Sequence, residues 1–395
     1  MSEFTVGIDL GSFKTSIVAS NGQRAVVESI VGQPKDGIAS KVLARKVAKR
    51  AFGGQVLFGK DVHGERLALN VIRPFEQAIL KYRTADQAGL TENDVTERRR
   101  AISLLLQHIV SLVGAPADAP VRAVIGAPSC ASLEARRVIV EAGEEVFESV
   151  VVVPEPFAVA YGVDSLSSTL VIDMGAGTVD ICPMNNAFPQ EEEQVTIAIA
   201  GDLIDVRFTE LMTELVPDAE ISMKMAREIK ERYGCVFNAD GEVTVKLPSK
   251  SGSQKFYDIS QPLMQACEIV VDPIVQGIKD VIARVDPEFR QEMLGSILLS
   301  GGGSQLSGLD RRIEFELRDH HARVNRVYDY VFAGAIGAHR IAMELEPEEW
   351  TMLGRLDEGQ SVAEPVTSDV QAVPDDELDH CEEAGEIVDD AVQAA

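Results

Sequence analysis

The chain has 395 residues, 45% of them hydrophobic and 25% charged, enough for two domains with cores of their own. A formal net charge of −26 argues against a nucleic-acid partner, since a phosphate backbone demands a basic face. No run approaches about eighteen uninterrupted apolar residues, so direct membrane insertion is not expected.

Met1-Ser2-Glu3-Phe4 leads straight into an apolar run with no room for a signal peptide, and a cytoplasmic protein is expected. "TVGIDLGSFKTSIV", Thr5 to Val18, places Asp9-Leu10-Gly11-Ser12 between two β-branched runs. Aspartate and glycine are depleted in strand interiors, so this reads as a tight turn in an antiparallel hairpin. "QRAVVESIV", Gln23 to Val31, continues the strands. "KVLARKVAKRAFGGQVLFGKDV" reads as a small inserted lobe with short strands around Gly53-Gly54. From Glu97 to Val113 the spacing predicts a helix with Ile102, Leu105, Leu106, Ile109, Val110 and Val113 on one face. "VRAVIGAPS" is a buried strand, "LEARRVIVEAGEEVF" an amphipathic helix, and "SVVVVPEPFAVAYG" a strand turning at Pro154 into a helix.

At "TLVIDMGAGTVDICPM", Thr169 to Met184, the first pattern returns as Asp173-Met174-Gly175-Ala176-Gly177. "VTIAIAGDLIDVRFTELM" gives a strand, a glycine turn and a helix. A second insertion, roughly Val216 to Asp258, holds the helix "ISMKMAREIKERYG", strand-like "EVTVKL" and a loop rich in Ser, Gly and Lys. "PLMQACEIVVDPIVQGIKDVI" is expected as one helix, "SILLSGGGSQLSGLDRRI" as a strand entering a helix, and "YVFAGAIGAHRIAMEL" as the last helix. This alternation implies α/β layers with mixed sheets. After Arg355 there is no Lys or Arg and there are thirteen acids, about half the net charge. Such a tail is expected to be disordered, either solvating the chain or docking a basic partner. Cys130, Cys182, Cys235, Cys267 and Cys381 are odd in number and lack C-x-x-C spacing, so free thiols are expected rather than a zinc site.

One Asp-x-Gly turn by itself is an ordinary hairpin. Two copies are different, because glycine lets backbone amides converge on an anion, and a nearby Asp suits a phosphate that carries Mg²⁺. Two similar halves gripping one nucleotide are therefore expected. Gly301-Gly302-Gly303 match neither G-x-G-x-x-G nor G-x-x-x-x-G-K-[ST], which weighs against Rossmann and P-loop folds. Without side chains they allow the backbone to lie against a planar base and sugar, near a helix N-terminus.

In order, IDLGSFKT, VPEPFAVAYG, IDMGAGTVDI, LLSGGGSQLSGL and AGAIGAHRIA resemble the five signatures shared by actin, Hsp70 and sugar kinases, across about 340 residues. Within that superfamily, "VVVPEPFAVAYG", "IAGDLIDVRF" and "AREIKERYG" look most like the bacterial actins, in particular those that align magnetosomes. The resemblance implies an actin-like ATPase fold: two similar domains, each a mixed sheet flanked by helices with a small inserted subdomain, and an ATP cleft between them. It implies subdomain IA from residues 1–34, 77–155 and 337–355, IB from 35–76, IIA from 156–208 and 259–336, IIB from 209–258, and an acidic tail over 356–395.

The resemblance also implies site roles. Gly11, Ser12, Phe13 and Lys14 would hold the β-phosphate, and Gly175, Ala176, Gly177 and Thr178 the γ-phosphate. Asp9 and Asp173 would order the water shell of Mg²⁺. Glu155 would orient or deprotonate the attacking water. Gly201 and Asp202 would approach the ribose and phosphates, Lys230 the adenosine, and Gly301, Gly302, Gly303 and Ser304 the base and sugar. Where proteins of the MreB type carry Glu three residues before that lysine, this chain has Arg227. Small residues in the two connecting helices, Ala158, Ala160 and Gly162 with Ala333, Gly334, Ala335 and Gly337, would cross closely and form the hinge. The implied function is an ATPase that polymerises with itself according to nucleotide state, with magnetosome-associated proteins as further partners. A monomeric Hsp70-like or FtsA-like ATPase, acting as chaperone or adaptor, is the alternative.

Overall fold

The computed structural model describes residues 3–35, 46, 51–52, 56–75, 89–116, 119–236 and 241–353. The acidic tail and Gly53-Gly54 fall outside these residues. β1 (Phe4–Leu10), β2 (Lys14–Ala19) and β3 (Arg24–Glu28) form an antiparallel meander. The chain then builds a three-stranded sheet of β4 (Val31–Pro34), β5 (Leu57–Phe58) and β6 (Leu69–Ile72), with α1 (Lys60–Glu65) between the last two. It returns through α2 (Glu92–Leu112), β7 (Val121–Ala127), α3 (Leu133–Glu144) and β8 (Ser149–Pro154). β1, β7 and β8 are parallel, giving the order β3-β2-β1-β7-β8.

α4 (Glu155–Gly162) leads to a second sheet begun by β9 (Ser167–Met174), β10 (Val179–Asn185) and β11 (Val195–Ile197). Two helices, α5 (Gly201–Leu215) and α6 (Met223–Tyr233), and a hairpin of β12 (Thr244–Pro248) and β13 (Gln254–Asp258) follow. Then come α7 (Ser260–Glu268), α8 (Val271–Arg284), α9 (Arg290–Leu294), β14 (Ile297–Ser300), α10 (Leu309–Glu316), β15 (Val324–Arg326), α11 (Ala333–Glu344) and α12 (Pro347–Leu353). The second sheet runs β11-β10-β9-β14-β15, antiparallel on one side of β9 and parallel on the other. It repeats the pairing of the first sheet strand for strand. The expected doubled mixed-sheet architecture is the one observed.

Local chemistry explains where sequence and structure part. The helix expected from Glu97 begins at Glu92, because Thr91 caps it: its hydroxyl accepts from the Asp94 amide (3.2 Å) while Asp94 accepts from the Thr91 amide (2.9 Å). The single helix expected from Pro262 onward is two, α7 and α8. Pro273 lacks an N–H and its ring crowds the carbonyl four residues back, so the ladder breaks around Ile269 and Val270. The Ser/Gly/Lys loop closes into a second strand, β13, through a turn in which the Ser249 amide donates to Ser253 O (2.8 Å). Three expected boundaries, at 155/156, 208/209 and 336/337, fall inside the continuous helices α4, α5 and α11.

Each sheet buries its own core. Ile8, Ile125 and Leu105 sit at the heart of the first and Ile172, Leu299, Phe208 and Ile278 of the second, all fully buried. Between them lies α4, whose Ala158 packs toward Val124 and Val151 of the first sheet while Val159 and Ala160 pack toward Val171 and Cys182 of the second. α11 lies across α4.

Candidate functional site

The two Asp-x-Gly turns open onto one cleft, together with the glycine turn after β14. Its open space, solvent at the mouth included, is about 1130 Å³. The first turn is propped from behind by Ser29: its hydroxyl donates to Gly11 O (2.6 Å) and its amide to Phe13 O (2.8 Å). The second turn closes on itself, Gly175 N to Thr178 O (2.9 Å). It is also held by the start of α5, where the Asp202 amide donates to Ala176 O (2.7 Å). Gly301 has φ 76°, and a Cβ there would overlap the Met174 carbonyl and lie 2.9 Å from Asp173 Oδ1, so only glycine fits beside the second acid.

The sequence-derived site residues gather as follows. Asp9, Gly11, Ser12, Phe13, Lys14, Glu155, Asp173, Gly175, Ala176, Gly177, Thr178, Gly201, Lys230, Gly301, Gly302 and Gly303 all line the cleft. Asp202 and Ser304 are not among its lining residues. Asp202 turns its carboxylate onto Arg227 Nη2 (2.7 Å), and Ser304 is fully buried under its own turn. Lys230 donates to Gly201 O (2.6 Å) and lies 2.7 Å from Asp205 Oδ1, an ion contact off the direction of a hydrogen bond. Nine lining residues had no assigned role: Ser16, Met174, Ile204, Arg227, Glu231, Gln305, Leu306, Tyr330 and Val331. Arg227 and Glu231 stand three residues before and one after Lys230 on the same helix, and helical spacing could have gathered them. Tyr330 and Val331 carry no such signal.

Acids concentrate at the floor. Asp173 pairs across its sheet with Asp180 and Ser300, and Asp9 with Ser16 and Gly126. Glu155, only 6% exposed, is the first residue of α4. Burial pushes the Asp173 carboxyl well above the usual range, and the charges of Glu155, Asp9 and Asp180 push it further. Asp9, Glu155 and Asp173 line the cleft, and the charges of the first two bear on the third. Among the described residues no three acids converge to ligate one ion directly. Acids that act through water, as around a phosphate-bound Mg²⁺, fit these residues.

Asp180 is fully buried. Its Oδ1 accepts from the Ser129 amide (2.8 Å) of the first half and the Thr196 hydroxyl (2.6 Å); its Oδ2 has no aligned donor among the described residues. Burial first and Glu155 second raise its carboxyl to about 6, against the easing effect of Thr196, Ser129 and Thr178. The native state thus keeps this proton to higher pH than the unfolded chain, whose carboxyl titrates near 3.8. The contribution is present below that value and is lost as pH rises through about 6. Asp180→Asn keeps the Oδ1 acceptor and removes the charge. Chemical denaturation of this variant is expected to show a smaller fall in stability between pH 4 and pH 6.5 than the wild type, and a stability at pH 7 equal or higher. An unchanged pH profile would refute the assignment.

The sequence profile of the MreB/Mbl protein family matches residues 90–346. The actin-like protein MamK of Magnetospirillum gryphiswaldense is 32% identical over 350 residues, 88% of this chain and 91% of that protein. Among solved structures, the MamK double helical filament superposes with a TM-score of 0.78 at 29% identity, covering 87% of this chain and all of the other. A non-polymerising MamK mutant bound to AMPPNP superposes with a TM-score of 0.64 at 30% identity, covering 87% and 99%.

Proposed function

Since the chain belongs to the MreB/Mbl family of actin-like proteins, we propose that it binds and hydrolyses ATP and polymerises into filaments according to the nucleotide it holds. The observation that carries this reading is the opposition of two acid-tipped glycine turns, one from each of two equivalent sheets, across a single cleft. Amides of Gly11 to Lys14 face one phosphate, and those of Gly175 to Thr178 the next. Asp9 and Asp173 are the residues that would hold Mg²⁺, which when bound would offset the charge that phosphoryl transfer spreads over the phosphate oxygens. Glu155, at the end of β8 and the start of α4, orients the attacking water and takes its proton. Gly301 to Gly303 leave room for the base and sugar, and Asp202 acts one step back by fixing Arg227.

Nucleotide held from both halves favours one angle between them, and a subunit contact that fits only this angle turns binding into assembly. Head-to-tail contacts that do not close generate filaments. Similarity to MamK supports a filament that organises magnetosome chains, with magnetosome-associated proteins as partners.

High-speed sedimentation with electron microscopy tests the assembly. Filaments are expected with ATP and Mg²⁺ and not without nucleotide; nucleotide-independent behaviour, or no polymer under any condition, would overturn it. The metal has its own signature. ATP is expected to raise the melting temperature in Mg²⁺ by the amount mass action dictates, and the shift should vanish in EDTA. An equal shift in EDTA would remove Asp9 and Asp173 from metal binding.

A further inference from the structure

Arg227 lies on α6 in the second half, and its guanidinium is held on two edges and one face. Nη2 donates to Asp202 Oδ1 at 2.7 Å and Nε to Asp205 Oδ2 at 2.9 Å, both acids on α5. Asp205 is fully buried, and Lys230 approaches its other oxygen, so this anchor cannot swing away. Two charge-assisted hydrogen bonds fix a planar cation in orientation as well as position. The face so fixed covers the ring of Phe13, with Cζ 4.3 Å from the ring centroid.

Phe13 belongs to the first phosphate turn, in the other half of the molecule. The stack therefore crosses the cleft that both residues line. Its attraction is electrostatic, a cation on the negative face of a ring, and it strengthens where water is kept away. Lys14 is a poorer partner for the same ring: its Nζ stands 5.4 Å from the centroid on a flexible stem. Within its own half the turn is tied through Ser29 to Gly11 and Phe13. For a ligand to leave between the halves, the Phe13 ring and the Arg227 plane must part.

We propose that Arg227 is a positioning residue for the nucleotide: through Phe13 it clamps the first phosphate turn against the second half and sets how long a bound nucleotide stays. This rests on the nucleotide reading above. The sequence makes the pair visible only in outline, since 214 positions separate the two residues.

Stopped-flow release of a fluorescent ATP analogue, in Mg²⁺, reads the clamp directly. Arg227→Gln and Phe13→Leu are each expected to release the analogue about tenfold faster than wild type. Because both break the same contact, the double variant should be no faster than either single one. Phe13→Leu leaves the Arg227 ion pairs intact, so it reports on the stack even where Arg227→Gln folds poorly, and Phe13→Tyr, which keeps the ring face, should release at the wild-type rate. Unchanged release in Phe13→Leu, multiplicative effects in the double variant, or fast release in Phe13→Tyr would each overturn the assignment. Failure of the wild-type protein to bind the analogue at all would sink the nucleotide reading itself, and this assignment with it.

Discussion

Exchanging Glu155 for glutamine is expected to lower ATP turnover by about 100-fold or more while leaving nucleotide binding and ATP-dependent sedimentation in place. The magnitude is that of losing a positioned general base. The geometry explains the selectivity. Glu155 opens α4 at the cleft floor, nearly buried, and the space over it exists because Gly126 has no side chain: a Cβ there would lie 3.2 Å from Glu155 Cγ. Glutamine fills the same volume, so no cavity or clash confounds the result. The charge it removes is also one that pushes Asp173 and Asp180 up, so in the variant both acids ionise more readily. Metal and nucleotide should then bind as well as before or better. Phosphate release measured alongside light scattering separates the outcomes: filaments that form normally and persist support the role, and normal phosphate release removes Glu155 from the chemistry.

The two Asp-x-Gly turns were legible in the sequence because their signal is local. An Asp-x-Gly between β-branched runs constrains φ, strand pairing and charge within five residues, and the same constraint appears at Asp9 and Asp173. The crossing of α4 and α11 was legible for a related reason, since runs of Ala and Gly in a helix leave few explanations other than close approach. What the sequence concealed is non-local. Asp202 appears in a glycine turn as a plausible ligand, yet its carboxylate is drawn to Arg227, 25 residues away on the next helix. Tyr330 and Val331 reach the cleft only because β15 and α11 bring the chain back to it. The split between α7 and α8 was visible in principle at Pro273, but the apolar spacing on both sides runs through it almost unbroken. β13 was lost because "QKFYD" is charged and largely exposed, and only its pairing with β12 makes it a strand.

Gly337→Ala adds one methyl group to a helix, and helix propensity alone favours it by about 1 kcal/mol. The opposite outcome is expected, a net loss of about 2 kcal/mol, because packing outweighs propensity at this position. A Cβ on Gly337 would overlap the Ala158 carbonyl and come within 2.9 Å of Gly162 N, so it meets backbone rather than a side chain that can rotate away. Overpacking of that kind costs about 3 kcal/mol. Nor can α11 retreat. On its other flank it lies so close to β1 that a Cβ on Gly7 would overlap the His339 amide and the Ala335 carbonyl. At its far end Arg340 donates to the carbonyls of Tyr161 and Gly162, each at 3.0 Å, and Tyr161 donates to Glu344. α4 must therefore move, and because α4 begins at Glu155, the displacement reaches the cleft floor. Urea denaturation should show the loss of stability, and ATP turnover should fall with it. Gly64→Ala is the control: it sits in α1 with open space around it and should gain up to about 1 kcal/mol from propensity. If Gly337→Ala instead proves as stable as wild type, the two connecting helices do not cross at backbone contact, and a rigid coupling between the halves through α4 is lost with it.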